Sequence, residues 1–582
     1  MTTEGPRRHS CVQLFSALAA VSALTAASTL IALPTGSATS GPRRLAGATS
    51  ATVTFDINTN EQQRAISPLI YGMNLDKTVD PAQFADVMAQ ARPGMVRMGG
   101  DRWTAYNWEN NDSNAGSDYE YENDDYLSAS TSPGAAVLPT IEAAEKAGIP
   151  TLLTIPIAGY VSADRDPPGP VQSSGPDYLE TRFKVDEPTG PQPLTATPNE
   201  TLPDVYQDQY VYWLTKAVPG AQLMFSLDNE PDLWSSTHSE IHRAPTTYTE
   251  LLSKDLAYAT AVKKVDPVAT VTGPVSYGWE GYESLQDAPG SAGYGNFLDW
   301  WMRHVKAADA RAGTTLINDL DLHWYPEATG GGQRITGTAT SPAEVAAREQ
   351  APRSLWDPSY VEDSWITQDS LGGHGIDLIP RLDAQIAASN PGMKLDFTEW
   401  DYGAGQAISG AIATADVLGI FGRYGVHAAA FWALTSDEAF AYAAFAMYRN
   451  YNGHGAGFGG TEVKATTTDK VGTSVYASIE KAVPGHVVIV VINKSLSPTT
   501  ATVRLQGVAA TSASVYKLTS RISKPEPSPA LLATNSGTFV YVMPAQSVSV
   551  IVPRSAERDA ATTQLAFSSA PQTSIAQASP SV

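Results

Sequence analysis

Two glutamates stand at the ends of apolar runs. Glu230 lies in FSLDNEPDLW (225–234), where Phe225 and Leu227 alternate with Ser226 and lead into Asp-Asn-Glu-Pro; Glu399 lies near the end of KLDFTEW (394–400). Charged groups are seldom placed at the lip of a core without a partner or a task. Two carboxyl groups facing one cleft are what cleavage of a glycosidic bond requires. One must be protonated to donate to the leaving oxygen, and the other must be ionised. A separation of about 5–5.5 Å gives retention through a covalent intermediate, whereas a wider gap admits a water and gives inversion. The sequence does not measure that gap. The surroundings must also push the two pKa values apart. A lone strand-end glutamate is more often a salt-bridged rim residue. Two of them, one inside Asn-Glu-Pro, favour catalysis.

Around this pair stand weaker candidates. Asn229 could hydrogen-bond a sugar 2-hydroxyl. Tyr325, in DLHWYP, could hydrogen-bond Glu399 and keep it ionised, and Arg97 could do likewise. For each, an ordinary buried hydrogen-bond partner is an equal reading. Trp432 is the best candidate platform for the reacting sugar, with Trp103, Trp234 and Trp324 as others near strand ends. His323 reads as a satisfied core histidine, with no second histidine near it in sequence. His238 and His242 have H-x-x-x-H spacing, but Ser239 follows the first, so H-E-x-x-H is absent. That pair reads as surface residues.

The elements that must position these groups form a regular series. Eight strand candidates occur between residues 69 and 434: LIYGMN, GMVRMGG, TLLTIPI, AQLMFSLDNEP, TVTGPV, DLDLHWYP, KLDFTEW and HAAAFWAL. Amphipathic segments lie between most of them, including Pro81–Arg92, Leu138–Ala147, Val205–Val218, Thr246–Val265, Phe297–Ala312 and Ile408–Tyr424. In the Thr246–Val265 segment, Pro245 reads as a first-turn residue. Eight strands alternating with helices predict a parallel (β/α)8 TIM barrel over 65–459, with the active site at the C-terminal strand ends. The two glutamates fall on the fourth and seventh strands. Beyond Gly460 short β-rich runs follow one another without helices, which predicts an accompanying antiparallel β-sandwich over 460–555. The strand within 51–64 is expected to join it. Residues 556–582, rich in Ser, Ala, Thr and Gln, read as a disordered tail.

Composition narrows the partners. A net charge of -22 disfavours nucleic acid and anionic membranes. The 12 Trp and 25 Tyr suit sugar rings. Residues 1–48 read as a signal peptide, with Arg7 and Arg8 before an apolar run from Val12 to Leu33. The expectation is a secreted monomer with no membrane association after cleavage. The one cysteine, Cys11, lies before the apolar run, so the mature chain offers no thiol chemistry.

Several long stretches resemble glycoside hydrolase family 44: YNWENNDSNAGSD (106–118), FSLDNEPDLW (225–234), DLHWYPEATGGG (321–332), APRSLWDPSYVEDSWIT (351–367), ISGAIATADVLGIFGRYG (408–425) and MYRNYNG (447–453). The resemblance implies a barrel plus a sandwich built from both chain ends. It also implies a retaining, secreted endo-β-1,4-glucanase or xyloglucanase acting on polysaccharide and needing no cofactor for catalysis. On the matching positions Glu230 corresponds to the acid/base and Glu399 to the nucleophile. Xylan or mannan as substrate, or a non-catalytic binding role, are the alternatives. Trp400-Asp401 beside the nucleophile departs from the family pattern, which points to an altered subsite. The acidic run 108–126 usually means a solvated loop. The family makes a structural calcium the other reading, with Glu109 as its candidate ligand.

Overall fold

The computed structural model describes residues 51–75, 81–432, 438–535 and 537–554. The expected signal peptide and tail lie outside them. The eight expected strands close into one parallel barrel: Gly72–Asn74, Met95–Met98, Thr151–Ile155, Leu223–Leu227, Thr270–Ser276, Asp319–Trp324, Lys394–Trp400 and Ala428–Phe431. They are numbered first to eighth below. Strands buried on both faces need apolar side chains outward and close-fitting ones inward. Phe225 and Leu227 accordingly pack into the large core shared with the helices, while Met95, Leu152, Met224, Ala428 and Ala430 form a small cluster of their own.

Helix boundaries follow local chemistry. The helix expected from Thr246 begins at Tyr248. Thr247 caps it by accepting from the Glu250 backbone N–H at 3.2 Å. Pro245 therefore lies outside the helix, because a side-chain cap satisfies a free N–H and proline only tolerates its loss.

Ala51–Asn58 pairs in parallel with Thr499–Gln506 and antiparallel with Thr461–Thr467, so both chain ends share one sheet. Its members past residue 460 otherwise pair antiparallel. Val487–Asn493 shows how this sheet meets the barrel. Val487, Ile489 and Val491 enter the sandwich core, while Val488, Val490 and Ile492 enter the core built with the barrel helices. A strand apolar at every position is thus apolar towards two partners.

Candidate active site

The fourth strand ends in a tight turn. Asp228 and Glu230 both have left-handed backbone, with φ of 67° and 44°. Such backbone costs on the order of 1 kcal/mol per non-glycine residue, so neighbours must hold it. Asp228 does so. Its buried carboxylate accepts from Thr104 Oγ1 at 2.6 Å, from the backbone N–H groups of Ile157 and Ala158 at 2.6 and 3.1 Å, and from Asn229 N at 2.8 Å. The backbone N–H of Glu230 donates to Val275 O on the neighbouring strand at 3.0 Å. The glutamate is fixed by its own main chain, with 17% of its side chain exposed to the cleft.

The seventh strand uses a different device. Leu322 pairs with Phe397, but His323 pairs with Glu399, so Thr398 is an extra residue in this strand. A bulge of this kind re-aims the side chains after it. Phe397 and Trp400 face the helix Ile408–Tyr424, where both pack on Phe421 at 5.5 Å. Thr398 and Glu399 both turn inward: Thr398 Oγ1 donates to Asp321 at 2.7 Å, and Glu399 reaches the cleft floor. Trp400 is fully buried and its ring packs away from the cleft, so of the Trp400-Asp401 departure only the half-buried Asp401 is left to alter a subsite.

Arg97 lies beneath both glutamates with no exposed surface. It donates to Glu399 Oε1 at 2.7 Å, Asn74 Oδ1 at 2.9 Å and Asn229 Oδ1 at 3.0 Å. Gly99 leaves room for that guanidinium; a Cβ there would collide with it. Tyr325 donates to Glu399 Oε2 at 2.9 Å. Asn229 Oδ1 also accepts from Gly100 N at 3.2 Å, and its amide donates to Asp101 Oδ1 at 3.0 Å. Trp432 stands half-buried beside this group: a Cβ on Gly100, whose φ is 101°, would come within 2.6 Å of its ring.

His323 is the site residue that sequence reasoning passed over. Its Nδ1 lies 2.8 Å from Glu230 Oε1 and 3.4 Å from Glu399 Oε2, and Nε2 lies 3.5 Å from an Arg97 nitrogen. A guanidinium has no lone pair to offer, so it faces the bare nitrogen of the ring. The proton is therefore on Nδ1, where it is donated to Glu230 Oε1, with Glu399 beside it. Burial lowers the pKa of His323, which keeps this tautomer neutral. A signal for it was present. In DLDLHWYP every second residue, Asp319, Asp321, His323 and Tyr325, is polar, which marks one face of the strand.

These surroundings separate the two carboxyl groups. Burial raises the Glu230 pKa well above its usual range, with the Glu399 and Asp232 charges adding to it. Burial acts on Glu399 too, but nearby His323 and the donors Arg97 and Tyr325 outweigh it and its pKa is lowered. One group is held protonated and the other ionised. Oxygens of Glu230 and Glu399 lie within 4.8 Å of each other. That is close to the separation of about 5–5.5 Å for double displacement and well short of the roughly 6.5–9.5 Å that would house a water.

Several expectations are corrected. Trp103, Trp234 and Trp324 are buried and cannot serve as sugar platforms. Trp324 Nε1 donates to Tyr402 Oη at 3.2 Å, Trp234 packs on His242, and Trp103 packs edge-on to Tyr106. Trp324 follows the inward His323 on its strand, and alternation turns it away, whereas Trp103 and Trp234 lie on short helices past the strand ends. His238 is not a surface residue: it is fully buried against Glu240 at 2.9 Å. Burial opposes its charge, yet the carboxylates of Glu240 and Asp101 push its pKa up to about 9. His242 is half-buried, 2.8 Å from Glu250. The acidic loop does not fit calcium through Glu109. That carboxylate is buried and accepts from Lys184 Nζ at 3.1 Å; Arg165 pairs with Asp112 and Asp125, and Arg182 with Asp164. The Lys184 ammonium takes the place beside Glu109 that a cation would need, and calcium needs six to eight oxygens.

Comparison with known proteins agrees with this geometry. The sequence profile of glycoside hydrolase family 44 matches residues 112–328. Endoglucanase A of Paenibacillus lautus is 39% identical over 529 residues, covering 87% of this chain and 73% of that protein. The chain belongs to glycoside hydrolase family 44. The β-mannanase/endoglucanase A of Caldicellulosiruptor saccharolyticus is 39% identical over 475 residues, 76% of this chain but 34% of that larger protein. Among solved structures, a family 44 xyloglucanase of Paenibacillus polymyxa, determined with xyloglucan, superposes with a TM-score of 0.80 at 35% identity, over 87% of this chain and 100% of that one. This family member is thus a glycosidase built on the closed barrel and adjoining sheet described above.

Proposed function

We propose that this glycosidase is a retaining endo-β-1,4-glucanase, acting on the backbones of cellulose-type glucans and xyloglucan, with Glu230 as acid/base and Glu399 as nucleophile. The observation that carries the retaining mechanism is that an oxygen of Glu230 and an oxygen of Glu399 lie within 4.8 Å of each other. The endo-glucanase reading is supported by the endoglucanase and xyloglucanase relatives. Secretion is supported by the basic and apolar pattern of residues 1–48.

In the first step an oxygen of Glu399 attacks the anomeric carbon. The proton of Glu230 passes to the glycosidic oxygen, the bond to the leaving chain breaks, and a glycosyl ester of Glu399 forms. The charge of Glu399 disappears on ester formation, which removes one cause of the raised Glu230 pKa. Glu230, now ionised, takes a proton from an incoming water. That water's oxygen displaces Glu399 and restores both groups. The Asn229 amide has a second hydrogen, not used by Asp101, for the sugar 2-hydroxyl. Arg97 and Asp101 hold this amide in one orientation from opposite ends.

Glu230→Ala tests the assignment through the leaving group. An aryl cellobioside with an acidic phenol needs little protonation, so its first step should survive far better than cleavage of xyloglucan. Deglycosylation should remain slow, giving a burst of phenol. Equal losses on both substrates with no burst would remove Glu230 from the acid/base role.

A further inference from the structure

A second cluster of ionisable groups lies at the opposite end of the barrel. Asp319 opens the sixth strand, Asp396 lies early in the seventh, and His427 precedes the eighth. Both aspartates are fully buried. His427 Nδ1 is 3.0 Å from Asp319 Oδ2 and 3.2 Å from Asp396 Oδ1. Only the second approach is aligned as a hydrogen bond, and Ala428 N also donates to that oxygen at 2.9 Å. Among the described residues, neither Asp319 oxygen nor Asp396 Oδ2 accepts an aligned hydrogen bond, the only near donor being His427 Nδ1 beside Asp319 Oδ2. Buried carboxylate oxygens without aligned donors are costly.

We propose that Asp319, Asp396 and His427 form a binding site for a divalent transition-metal ion, of zinc-like preference, that ties three adjacent strands together at the foot of the barrel. One ligand atom from each residue can be chosen so that all lie within 4.8 Å of one another. Tetrahedral bonds of about 2.0–2.2 Å put ligand atoms roughly 3.3–3.6 Å apart, so the 3.0 and 3.2 Å separations from the imidazole nitrogen need open by only a few tenths of an ångström. One nitrogen and two carboxylates leave a fourth position for water. Calcium is disfavoured by the nitrogen ligand and the small number of oxygens. An open cleft of about 400 Å³, lined in part by Ile66, Asp383, Met393, Lys394 and His427, reaches the histidine of the site from outside. The site is separate from the catalytic pair: its three members belong to none of the hydrogen bonds around Glu230 and Glu399.

Metal ligation by Nδ1 would move the ring proton to Nε2. Lys394 Nζ, now 3.1 Å from Nε2, cannot accept that proton and would have to swing away. It is exposed and free to do so. Lys394→Gln should therefore strengthen binding, since the amide oxygen can accept from Nε2–H and the nearby positive charge is gone.

The test is isothermal titration of chelator-treated full-length protein with zinc chloride, alongside thermal melts. Wild type should bind one zinc with micromolar or tighter affinity, and its Tm should rise and saturate. Affinity should fall at least about 100-fold in His427→Asn, be retained in Glu399→Gln and rise in Lys394→Gln. Absence of saturable zinc binding in wild type would overturn the proposal whether or not any variant folds. So would unchanged affinity in His427→Asn, loss in Glu399→Gln, or weaker binding in Lys394→Gln.

Discussion

Tyr325→Phe should move the acid limb of the pH–rate profile and leave the alkaline limb in place. The substitution removes one donor, the phenol that reaches Glu399 Oε2 at 2.9 Å, and keeps the ring. A hydrogen bond to a charged acceptor contributes about 1.5–3 kcal/mol, and one pKa unit corresponds to about 1.36 kcal/mol. The Glu399 pKa should therefore rise by about 1–2 units; the lower end is favoured because Arg97 still donates at 2.7 Å. The sign follows from the role. Glu399 must be ionised to attack, activity is lost as pH falls through its pKa, and a raised pKa brings that loss to higher pH. The alkaline limb belongs to Glu230, and there Glu399 is ionised in both proteins. The assay is kcat/KM for an aryl cellobioside between about pH 3 and 9, which reports the free enzyme. An acid limb within a few tenths of a unit of wild type would show that Tyr325 does not govern the ionisation of Glu399, whatever the loss in rate.

Two further outcomes follow from the site's framework. Asp228→Ala leaves four donors at the end of the fourth strand without their acceptor, and should cost roughly 3 kcal/mol or more of stability together with most of the activity; a melting temperature within a degree of wild type would contradict the anchoring role. Trp432→Ala should raise KM on glucan oligosaccharides roughly tenfold with little change in Tm, whereas Trp234→Phe, in a buried position, should lower Tm and leave KM alone; the reverse pattern would return Trp234 to the cleft.

What could be read from the sequence was set by period. Alternating apolar runs separated by amphipathic segments located all eight barrel strands, because a parallel sheet covered by helices must be apolar outward at every strand. The same alternation placed Glu230, Tyr325 and Arg97 near a common axis. It failed where the chain breaks it. The extra residue Thr398 lets both Thr398 and Glu399 face inward, and nothing in KLDFTEW announces a bulge. His323 was passed over because its residue type was weighed for metal binding, while its place in the polar column Asp319, Asp321, His323 and Tyr325 went unused. The tryptophans were misplaced for a related reason. Proximity to a strand end does not say which way an indole points, and Trp324 and Trp400 each follow an inward residue. Glu109 could be read as a calcium ligand only while Lys184, 75 residues later, was unseen beside it.

The assignment of roles at the cleft is tested most directly by trapping. The enzyme should be treated with an activated 2-deoxy-2-fluoro cellobioside, whose fluorine slows both steps while its good leaving group lets the first proceed, then digested for mass spectrometry. The glycosyl label is predicted on the peptide carrying Glu399, and in Glu399→Gln no label should form. Label on the peptide carrying Glu230, or release of product with inverted anomeric configuration and no labelled peptide, would contradict the double displacement proposed for this pair.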